Sequence, residues 1–343
     1  MSFRVTVLGA GSIGVFVGGK LAAAGADVTF VGRPRILDEI NAHGLRLTDL
    51  DGHDVRVQPT AFHTATEPSG DTDLVLIAVK SAGTAAAAEQ LVGVLKPGTV
   101  VISLQNGIGN DAVIREILPT CVVLAGMVMF NVVQHGGGHF HRGTTGAVEI
   151  ADDPVLNRFA PVFKASGLGF DRRADLLSIQ WAKLLLNLNN PINALSGRPL
   201  REELGTRDYR RCLALTQREA LTVMAHARIR PARLTPVPPE LMTRLLTVPD
   251  GMFQRVAGKV LAIDPVARSS MADDLAAGRK TEIAWLCGEI VTLGTLVDVP
   301  TPVNRRLVQL VTAAENGDRR TWSGAELLAE LRAAARGGAA NKG

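Results

Sequence analysis

Residues 3–14 have the sequence F-R-V-T-V-L-G-A-G-S-I-G, which predicts a strand, a glycine turn and the start of a helix. The apolar run at 3–8 predicts a buried strand, and Val17, Leu21 and Ala24 recur at helical spacing after the turn. The motif G-x-G-x-x-G has a structural meaning when it lies between a strand and a helix. The stretch therefore predicts the first βα unit of an open α/β sheet.

The three motif glycines have separate roles in such a turn. Gly9 permits a sharp bend, Gly11 lets the backbone approach a pyrophosphate, and Gly14 allows the helix to pack closely on the strand. The N–H groups and the dipole at a helix N-terminus favour an anion. The sequence therefore predicts a Rossmann-type domain whose dinucleotide phosphates contact Gly9, Ala10, Gly11, Ser12, Ile13 and Gly14.

The end of the second predicted strand indicates which dinucleotide binds. Residues 26–31 predict this strand, and G-R-P-R follows at 32–35, where an NAD site usually has an acidic residue. An acid would repel a 2′-phosphate, whereas a guanidinium can bind it bidentately. We therefore predict NADP(H) as the cofactor, with Arg33 as its main ligand and Arg35 as a weaker candidate.

Two further apolar runs predict central strands that end in polar residues. Residues 73–79 precede Lys80, and residues 99–104 precede the sequence Q-N-G that contains Asn106. The carboxyl ends of parallel strands meet at the ligand-binding edge of such a sheet. Lys80 and Asn106 are therefore candidates for cofactor contacts, and Asn106 also for a substrate oxygen. The remaining strands are predicted as a hairpin at 45–57 and runs at 122–133 and 147–151.

Helical periods replace the strands in the second half of the chain. Helices are predicted at 207–229, 240–248, 252–261, 282–297, 303–314 and 325–335. At 343 residues the chain exceeds the size at which a single core stops growing. We predict an NADP-binding α/β domain at 1–174, an all-α substrate and catalytic domain at 175–335, and a Gly/Ala-rich disordered tail at 336–343.

The second domain is predicted to open with a helix that carries Lys183 and Asn187. These two residues are four apart, so they share one face of the helix. An ammonium beside several carboxamides suits a site that holds and protonates a polar oxygen, although a solvated helix edge could have the same composition. The predicted apolar stripe consists of Ile179, Ala182, Leu185 and Leu186. Pro191 must kink or end the helix, and around it lie Asn189, Asn190 and Asn193.

The composition argues against several functional classes. Hydrophobic residues make up 46% of the chain and charged residues 20%, as in ordinary globular proteins. The net charge of +4, with one Tyr and no basic run interleaved with aromatics, predicts no nucleic-acid partner. The longest apolar run, at 121–130, is too short to cross a bilayer, so no membrane partner is expected.

The cysteines indicate a reducing compartment. Their odd number and wide spacing argue against a disulfide framework and against a C-x-x-C metal site: Cys121, Cys212 and Cys287. Because a strand is predicted to start close to Met1, we expect no signal peptide and a cytoplasmic protein. No metal site is expected either, since no carboxylate at ligand spacing accompanies His135, His139 and His141.

In this order and spacing the motifs resemble those of the ketopantoate reductase (2-dehydropantoate 2-reductase) family over nearly the whole chain. The matching stretches are G-A-G-S-I-G at 9–14, A-V-K at 78–80, Q-N-G at 105–107, W-A-K-L-L-L-N at 181–187, S-S-M-A-D-D at 269–274 and R-K-T-E-I at 279–283. The resemblance implies NADPH-dependent reduction of the ketone of 2-dehydropantoate to (R)-pantoate in pantothenate (vitamin B5) biosynthesis.

The resemblance also implies roles for individual residues. Lys183 matches the catalytic lysine, and Glu282 matches an active-site glutamate that also belongs to the cofactor site. Asn187 and Ser270 match substrate-binding residues, while Asn106 and Lys80 match residues that line the cofactor and substrate cleft. Burial would lower the pKa of the lysine towards neutrality, which suits a proton donor. Glu282 is expected to orient the lysine or the substrate hydroxyl.

The chain departs from the family pattern where the lysine helix ends. Many members have a second Asn four residues after the first and directly before a proline. Here the spacing is shortened to Asn190-Pro191, so Asn190 and Asn193 are both candidates for substrate binding. The alternatives are an NADP-dependent reductase of another 2-oxo or hydroxy acid, and a non-catalytic NADP(H)-binding regulator. The oligomeric state is also open, with a homodimer as one alternative.

Overall fold

The computed structural model describes residues 3–256 and 266–340 of the chain. The chain divides into two compact units, Met1–Leu176 and Leu177–Gly343, which we call the first and the second unit. The first unit combines strands and helices, whereas the second is helical. The predicted fold class is confirmed: an α/β Rossmann-type unit is followed by an all-α unit.

All strands among the described residues lie in the first unit. They are β1 (Arg4–Leu8), β2 (Asp27–Val31), β3 (Leu45–Asp49), β4 (Asp54–Val57), β5 (His63–Ala65), β6 (Leu74–Ile77), β7 (Val100–Ser103), β8 (Val122–Val128), β9 (Val132–Gly136), β10 (His139–Arg142), β11 (Val148–Ala151) and β12 (Phe170–Arg173). The helices of this unit are α1 (Ser12–Ala23), α2 (Pro34–His43), α3 (Thr84–Glu89), α4 (Asn110–Ile117) and α5 (Ala160–Ala165).

The main sheet has eight strands in the order β12-β11-β8-β7-β6-β1-β2-β5. From β5 to β8 all neighbours are parallel, while β11 is antiparallel to β8 and parallel to β12. Leu8 at the end of β1 is in register with Val31 of β2 and with Ile77 of β6. Because chain order reverses at β1, the gap between the ends of β1 and β6 is the switch point at which open α/β sheets bind ligands.

Both faces of this sheet are buried. Successive side chains of each strand point to opposite faces, and each set packs into a separate core. Val5 and Val7 of β1 belong to one core, with Phe16 of α1. Leu8 of the same strand belongs to the core on the other face, with Ile114 of α4. The central strands are therefore held from both sides, and this fixes the positions of the loops at their carboxyl ends.

A smaller sheet has the order β4-β3-β10-β9. Its antiparallel pair β3 and β4 confirms the hairpin predicted at 45–57. In this sheet the Thr48 hydroxyl lies 2.8 Å from Nε2 of His139 and 2.8 Å from Nδ1 of His141.

The second unit consists of helices. They are α6 (Leu176–Asn187), α7 (Asn190–Ser196), α8 (Leu200–Gly205), α9 (Arg207–His226), α10 (Pro239–Leu245), α11 (Asp250–Val256), α12 (Ser270–Ala276), α13 (Cys287–Leu296), α14 (Pro302–Glu315) and α15 (Gly324–Ala340). Among the described residues, no helix has both the length and the apolar character needed to cross a membrane. The cysteine thiols are free, and those of Cys212 and Cys287 are buried.

Two predicted segments differ from the observed ones, and a predicted helix lies partly outside the described residues. The run predicted as one strand at 122–133 forms two strands in different sheets, because the chain turns at Asn131, whose N–H donates to the Thr144 hydroxyl at 2.8 Å. The tail predicted as disordered at 336–343 continues α15 as far as Ala340, since its alanines favour a helix, and its last three residues lie outside the described part. The helix predicted at 252–261 is seen up to Val256, where the described residues stop.

The predicted apolar stripe of α6 is partly wrong. Ile179, Ala182 and Leu185 are buried as expected, but the Leu186 side chain is 45% exposed. At about 100° of rotation per residue, Leu186 lies on the same helix face as Ile179 and Ala182, so its exposure depends on what packs against the last turn of α6 and not on its place in the stripe. Several short elements were not predicted at all: β5, β10, β12, α2, α3, α4, α5, α7, α8 and α12.

Candidate active site

The predicted dinucleotide turn has the geometry that its glycines require. Gly9 has a φ of +105°, and a Cβ there would lie 2.6 Å from the backbone nitrogen of Val79. A Cβ on Gly14 would lie 2.3 Å from the carbonyl oxygen of Gly9. A Cβ on Gly11 would meet no atom within 4 Å, so the turn is open at this point. Gly9 and Gly14 are therefore needed by the protein itself, whereas Gly11 leaves room for a ligand.

The turn is tied to the end of β2. The N–H groups of Gly9 and Ala10 both donate to the carbonyl of Val31, at 2.9 and 3.1 Å. Gly32 packs against Ala10, since a Cβ on Gly32 would lie 2.6 Å from the Ala10 Cβ. These contacts place the backbone of Arg33, the N-cap of α2, beside the glycine turn.

The region fits an anionic dinucleotide. The first turn of α1 contains no acidic residue, and Ser12 and Ile13 keep part of their surface accessible. The first turn of α2 also lacks an acid, and Arg33 and Arg35 are exposed. Within residues 3–256 and 266–340, no hydrogen bond or ion pair holds the Arg33 guanidinium, so it is available to a phosphate.

Lys80 and Asn106 lie at the same edge of the sheet as the glycine turn. Lys80 follows β6 and Asn106 follows β7, and Ile77 of β6 is in register with Ser103 of β7. Lys80 is exposed and Asn106 is partly exposed. The structure therefore brings together the predicted cofactor residues of the first unit at the switch point next to β1.

A buried hydrogen-bond network that the sequence did not predict lies under Asn106. The carbonyl of Asn106 accepts from the Ser81 hydroxyl and from Nδ2 of Asn110, both at 2.8 Å. The Thr84 hydroxyl donates to Oδ1 of Asn110 at 2.8 Å and accepts from Nε2 of Gln105 at 2.7 Å. These side chains join the loops after β6 and β7, and so fix Asn106 relative to Lys80. In the sequence, the one indication of this network is the run of polar residues that follows each of the two apolar strands.

Lys183 and Glu282 interact in the second unit. Lys183 lies on α6, and Glu282 directly precedes a single 3₁₀ turn at Ile283–Trp285. Although Lys183 keeps some accessible surface, desolvation is the larger influence on its pKa and the opposing charge of Glu282 the smaller. Together they lower the pKa of the Lys183 ammonium to about 8. An amine with this pKa holds a proton at neutral pH and can also release it.

The asparagines after Lys183 separate into exposed and buried ones. Asn187 and Asn190 are partly exposed, as is required of a substrate ligand. Asn193 is 0% exposed: its Oδ1 accepts from the N–H of Ser269, and its Nδ2 donates to the carbonyl of Arg198, both at 2.9 Å. The predicted substrate-binding role of Asn193 does not fit this structure, because its carboxamide is used to join helices.

The two serines at the start of α12 also differ in burial, as the asparagines do. Ser269 is buried, and its hydroxyl accepts from the N–H of Ala272 at 3.2 Å, which caps the helix. The same hydroxyl donates to the carbonyl of Asn190 at 3.3 Å. Ser270 is exposed, so it remains available to a ligand.

A buried carboxyl group lies behind the asparagines and was not predicted. Oε2 of Glu203 accepts from Nδ2 of Asn189 at 2.9 Å, and Glu203 is fully buried. Burial raises the pKa of Glu203 to about 8, against the opposing effects of Asn189, Asn193 and the Arg210 guanidinium. The group is therefore largely protonated at neutral pH and belongs to the core rather than to a ligand site.

Family models match most of the chain. The model described as Ketopantoate reductase PanE/ApbA matches residues 5–154, and the model of its C-terminal domain matches residues 175–315. The chain belongs to the ketopantoate reductase family. The resemblance inferred from the motifs is thereby confirmed.

Individual ketopantoate reductases are similar over their full length. A 2-dehydropantoate 2-reductase of Halobacterium salinarum is 32% identical over 323 residues, which cover 91% of this chain and 99% of the relative. A solved PanE/ApbA family ketopantoate reductase from Ralstonia eutropha JMP134 is 30% identical, with a TM-score of 0.79, over 93% of this chain and 100% of that one.

A D-mandelate dehydrogenase shares the fold. Its structure with NADH and anilino(oxo)acetate has a TM-score of 0.75 and 22% identity, and the match covers 92% of this chain and 99% of that one. This similarity shows a shared fold, and membership of the ketopantoate reductase family supports a nicotinamide cofactor.

Proposed function

We propose that the protein is an NADPH-dependent 2-dehydropantoate 2-reductase that reduces the ketone of 2-dehydropantoate to (R)-pantoate. The observation that carries the proposal is the Lys183 ammonium, whose pKa of about 8 is set by desolvation and by Glu282, in a chain of the ketopantoate reductase family. Relatives named 2-dehydropantoate 2-reductase support an oxidoreductase that acts on a small keto acid. We assign cofactor binding to the first unit and proton transfer to the second.

The chemical step needs a proton donor beside the ketone oxygen. When bound, NADPH supplies the hydride that reduces the carbonyl carbon. The Lys183 ammonium stabilises the negative charge that develops on the oxygen and then donates a proton to it. Glu282 keeps the lysine partly charged in spite of its desolvation, since its carboxylate raises the lysine pKa.

The cofactor residues fit the phosphates of NADPH. The accessible N-terminus of α1 would receive the pyrophosphate, with Gly11 leaving room for its approach. Arg33 would pair with the 2′-phosphate, and the exposed Lys80 adds a further positive charge at the edge of the sheet. Asn106 offers a carboxamide to the nicotinamide ribose or to the substrate. The preference for NADPH over NADH rests on Arg33 and on the absence of an acid at that position.

Neutral donors would hold the substrate. We assign Asn187, Asn190 and Ser270 to the substrate carboxylate and hydroxyl groups, because all three keep accessible polar side chains. Neutral donors bind a carboxylate without adding a charge that would lower the lysine pKa further.

A second candidate is the reduction of another 2-oxo acid. It is favoured by the shortened spacing between Asn187 and Asn190, which changes the surroundings of the substrate relative to many family members. The fold shared with a D-mandelate dehydrogenase shows that this architecture also serves another 2-hydroxy acid.

The experiment is a substrate panel assayed by NADPH oxidation. Purified protein is incubated with NADPH and either 2-dehydropantoate or another 2-oxo acid of graded size, and the pantoate is analysed by chiral chromatography. The highest kcat/KM should be found with 2-dehydropantoate, and the product should be the R enantiomer. A higher kcat/KM with another 2-oxo acid would contradict the assignment of 2-dehydropantoate and identify that acid as the preferred substrate. Turnover with none of them would support a non-catalytic NADP(H)-binding protein.

A further inference from the structure

The segment that carries Glu282 is held by a carboxylate of α14. The backbone N–H and the hydroxyl of Thr281 both donate to Oε1 of Glu315, at 2.8 and 2.7 Å. The Thr281 hydroxyl in turn accepts from the N–H of Ile283 at 3.2 Å. The residues on both sides of Glu282 are therefore linked to one carboxylate.

Glu315 is enclosed and charged. Its side chain is 7% exposed, and its Oε2 pairs with Nζ of Lys280 at 3.2 Å. Burial alone would raise the pKa of Glu315, but the hydrogen bonds from Thr281 and the charge of Lys280 outweigh it and hold the pKa below its usual range. The ionised carboxylate makes stronger hydrogen bonds to Thr281 than a neutral group would.

Helix α14 is a fixed support for this carboxylate. Glu315 is the last residue of α14. At the other end of the helix, the carboxylate of Glu219 on α9 accepts from the N–H groups of Val303 and Asn304, at 2.9 and 2.8 Å. Both ends of α14 are thus bonded to other parts of the second unit, which restrains the helix that carries Glu315.

We propose that Glu315 is a positioning residue that keeps the Glu282 carboxylate directed at Lys183, and this rests on the role given to that pair in the proposed function. Glu315 acts through Thr281 and does not touch the reacting atoms. If the link were broken, the segment could move and the Lys183 ammonium would lose part of the charge that compensates its desolvation. The lysine would then be deprotonated at a lower pH.

The test follows the titration of Lys183 without any turnover. The rate at which Lys183 reacts with trace amounts of an amine-acylating reagent is measured against pH by peptide mass spectrometry, because only the neutral amine reacts. The key variant is Thr281→Val, which removes one hydroxyl without changing charge or size. Glu315→Gln weakens the same link, and Glu282→Gln sets the largest shift that loss of the carboxylate can cause.

We expect Thr281→Val and Glu315→Gln to lower the apparent pKa of Lys183, by no more than Glu282→Gln does. Combining Thr281→Val with Glu282→Gln should give the same pKa as Glu282→Gln alone, since there is then no carboxylate to position. Lys280→Met is the matched control, because it removes the ion pair with Glu315 but leaves both Thr281 bonds, and it should not lower the pKa. Thermal unfolding of each variant verifies that it is folded at the labelling temperature.

An unchanged Lys183 titration in folded Thr281→Val would overturn the proposal, as would shifts that add in the double variant. These outcomes are independent of the enzymatic activity, because the labelling uses neither NADPH nor substrate. A protein that shows the shifts but reduces no 2-oxo acid would refute the proposed function and leave the positioning role intact. In an active enzyme, Thr281→Val and Glu315→Gln should move the pH dependence of kcat and leave the KM for NADPH unchanged.

Discussion

The pH dependence of turnover tests whether Lys183 is the proton donor. Its pKa is lowered from 10.5 to about 8. Since the ammonium is the acid form, kcat must fall as the pH rises through about 8. A group with this pKa is about 90% protonated at pH 7 and about 10% protonated at pH 9, so kcat should fall about tenfold over this interval. A lysine that kept the ordinary pKa would still be about 97% protonated at pH 9, and kcat would hardly change.

The assay is steady-state NADPH oxidation at saturating concentrations of NADPH and 2-dehydropantoate. Single-turnover measurements accompany it, because a slow product release would conceal the titration of the chemical step. Lys183→Ala should lower kcat by about 10²–10⁴-fold and abolish the basic limb. Its dissociation constant for NADPH should stay nearly unchanged, because the pyrophosphate and 2′-phosphate contacts are assigned to the first unit.

Glu282→Gln tests the direction in which the carboxylate shifts the pKa of Lys183. The carboxylate raises the lysine pKa, so its removal should move the basic limb to lower pH. A limb that moved to higher pH would contradict the electrostatic argument. A wild-type kcat that stays flat between pH 7 and pH 9, or a limb that persists in Lys183→Ala, would refute Lys183 as the donor.

Four further predictions concern the cofactor and the stability of the two units. Arg33→Ala should reduce the preference for NADPH over NADH about ten- to a hundredfold, from the roughly 1.5–3 kcal/mol of a charge-assisted bond, as measured by fluorescence titration with both cofactors. Gly9→Ala should lower the melting temperature, because its Cβ would lie 2.6 Å from the Val79 nitrogen at a φ of +105°, whereas Gly11→Ala should leave the melting temperature unchanged and weaken NADPH binding. Lys183→Met should raise the free energy of unfolding at pH 7 by at most about 3.5 kcal/mol, because the lysine pKa is lowered from 10.5 to about 8 and each unit corresponds to roughly 1.4 kcal/mol. Urea titrations should show this gain vanish as the pH approaches 10.5. The pKa of Glu203 is raised from 4.5 to about 8, so the folded state is increasingly destabilised relative to the unfolded state as the pH rises through that range. Glu203→Gln should therefore be more stable than the wild type above about pH 8 but not below pH 4.5.

The sequence was most informative where local patterns determine structure. The strand, glycine turn and helix at residues 3–14 could be predicted because Gly9 and Gly14 meet steric limits within the same unit. The carboxyl ends of β6 and β7 could be placed at the ligand-binding edge of the sheet, because the carboxyl ends of parallel strands meet at one edge. Lys80 and Asn106 were predicted as candidates for this reason.

Features that depend on packing between distant segments could not be predicted. Asn193 and Asn190 look equivalent in the sequence, but Ser269 far along the chain bonds the side chain of Asn193 and only the backbone of Asn190. The burial of Leu185 and the exposure of Leu186 likewise depend on which helix packs against α6. A carboxyl such as that of Glu203 looks like an ordinary charged helix residue until its neighbours are known.

The pairing of Lys183 with Glu282 explains why a positioned carboxylate is needed at all. Desolvation without a counter-charge would lower the pKa of the lysine below about 8, and less ammonium would be present at neutral pH. A carboxylate in too close contact would return the pKa towards 10.5, and the ammonium would then be a poor acid for an alkoxide formed at neutral pH. The useful pKa lies between these limits, and it depends on the distance between the two charges because Coulomb energy varies with that distance. A flexible loop would average over many distances, whereas the bonds from Thr281 to Glu315 restrict the segment next to Glu282 to one position. If Lys183 is the proton donor, its acidity is expected to depend on hydrogen bonds between residues that do not themselves touch the substrate.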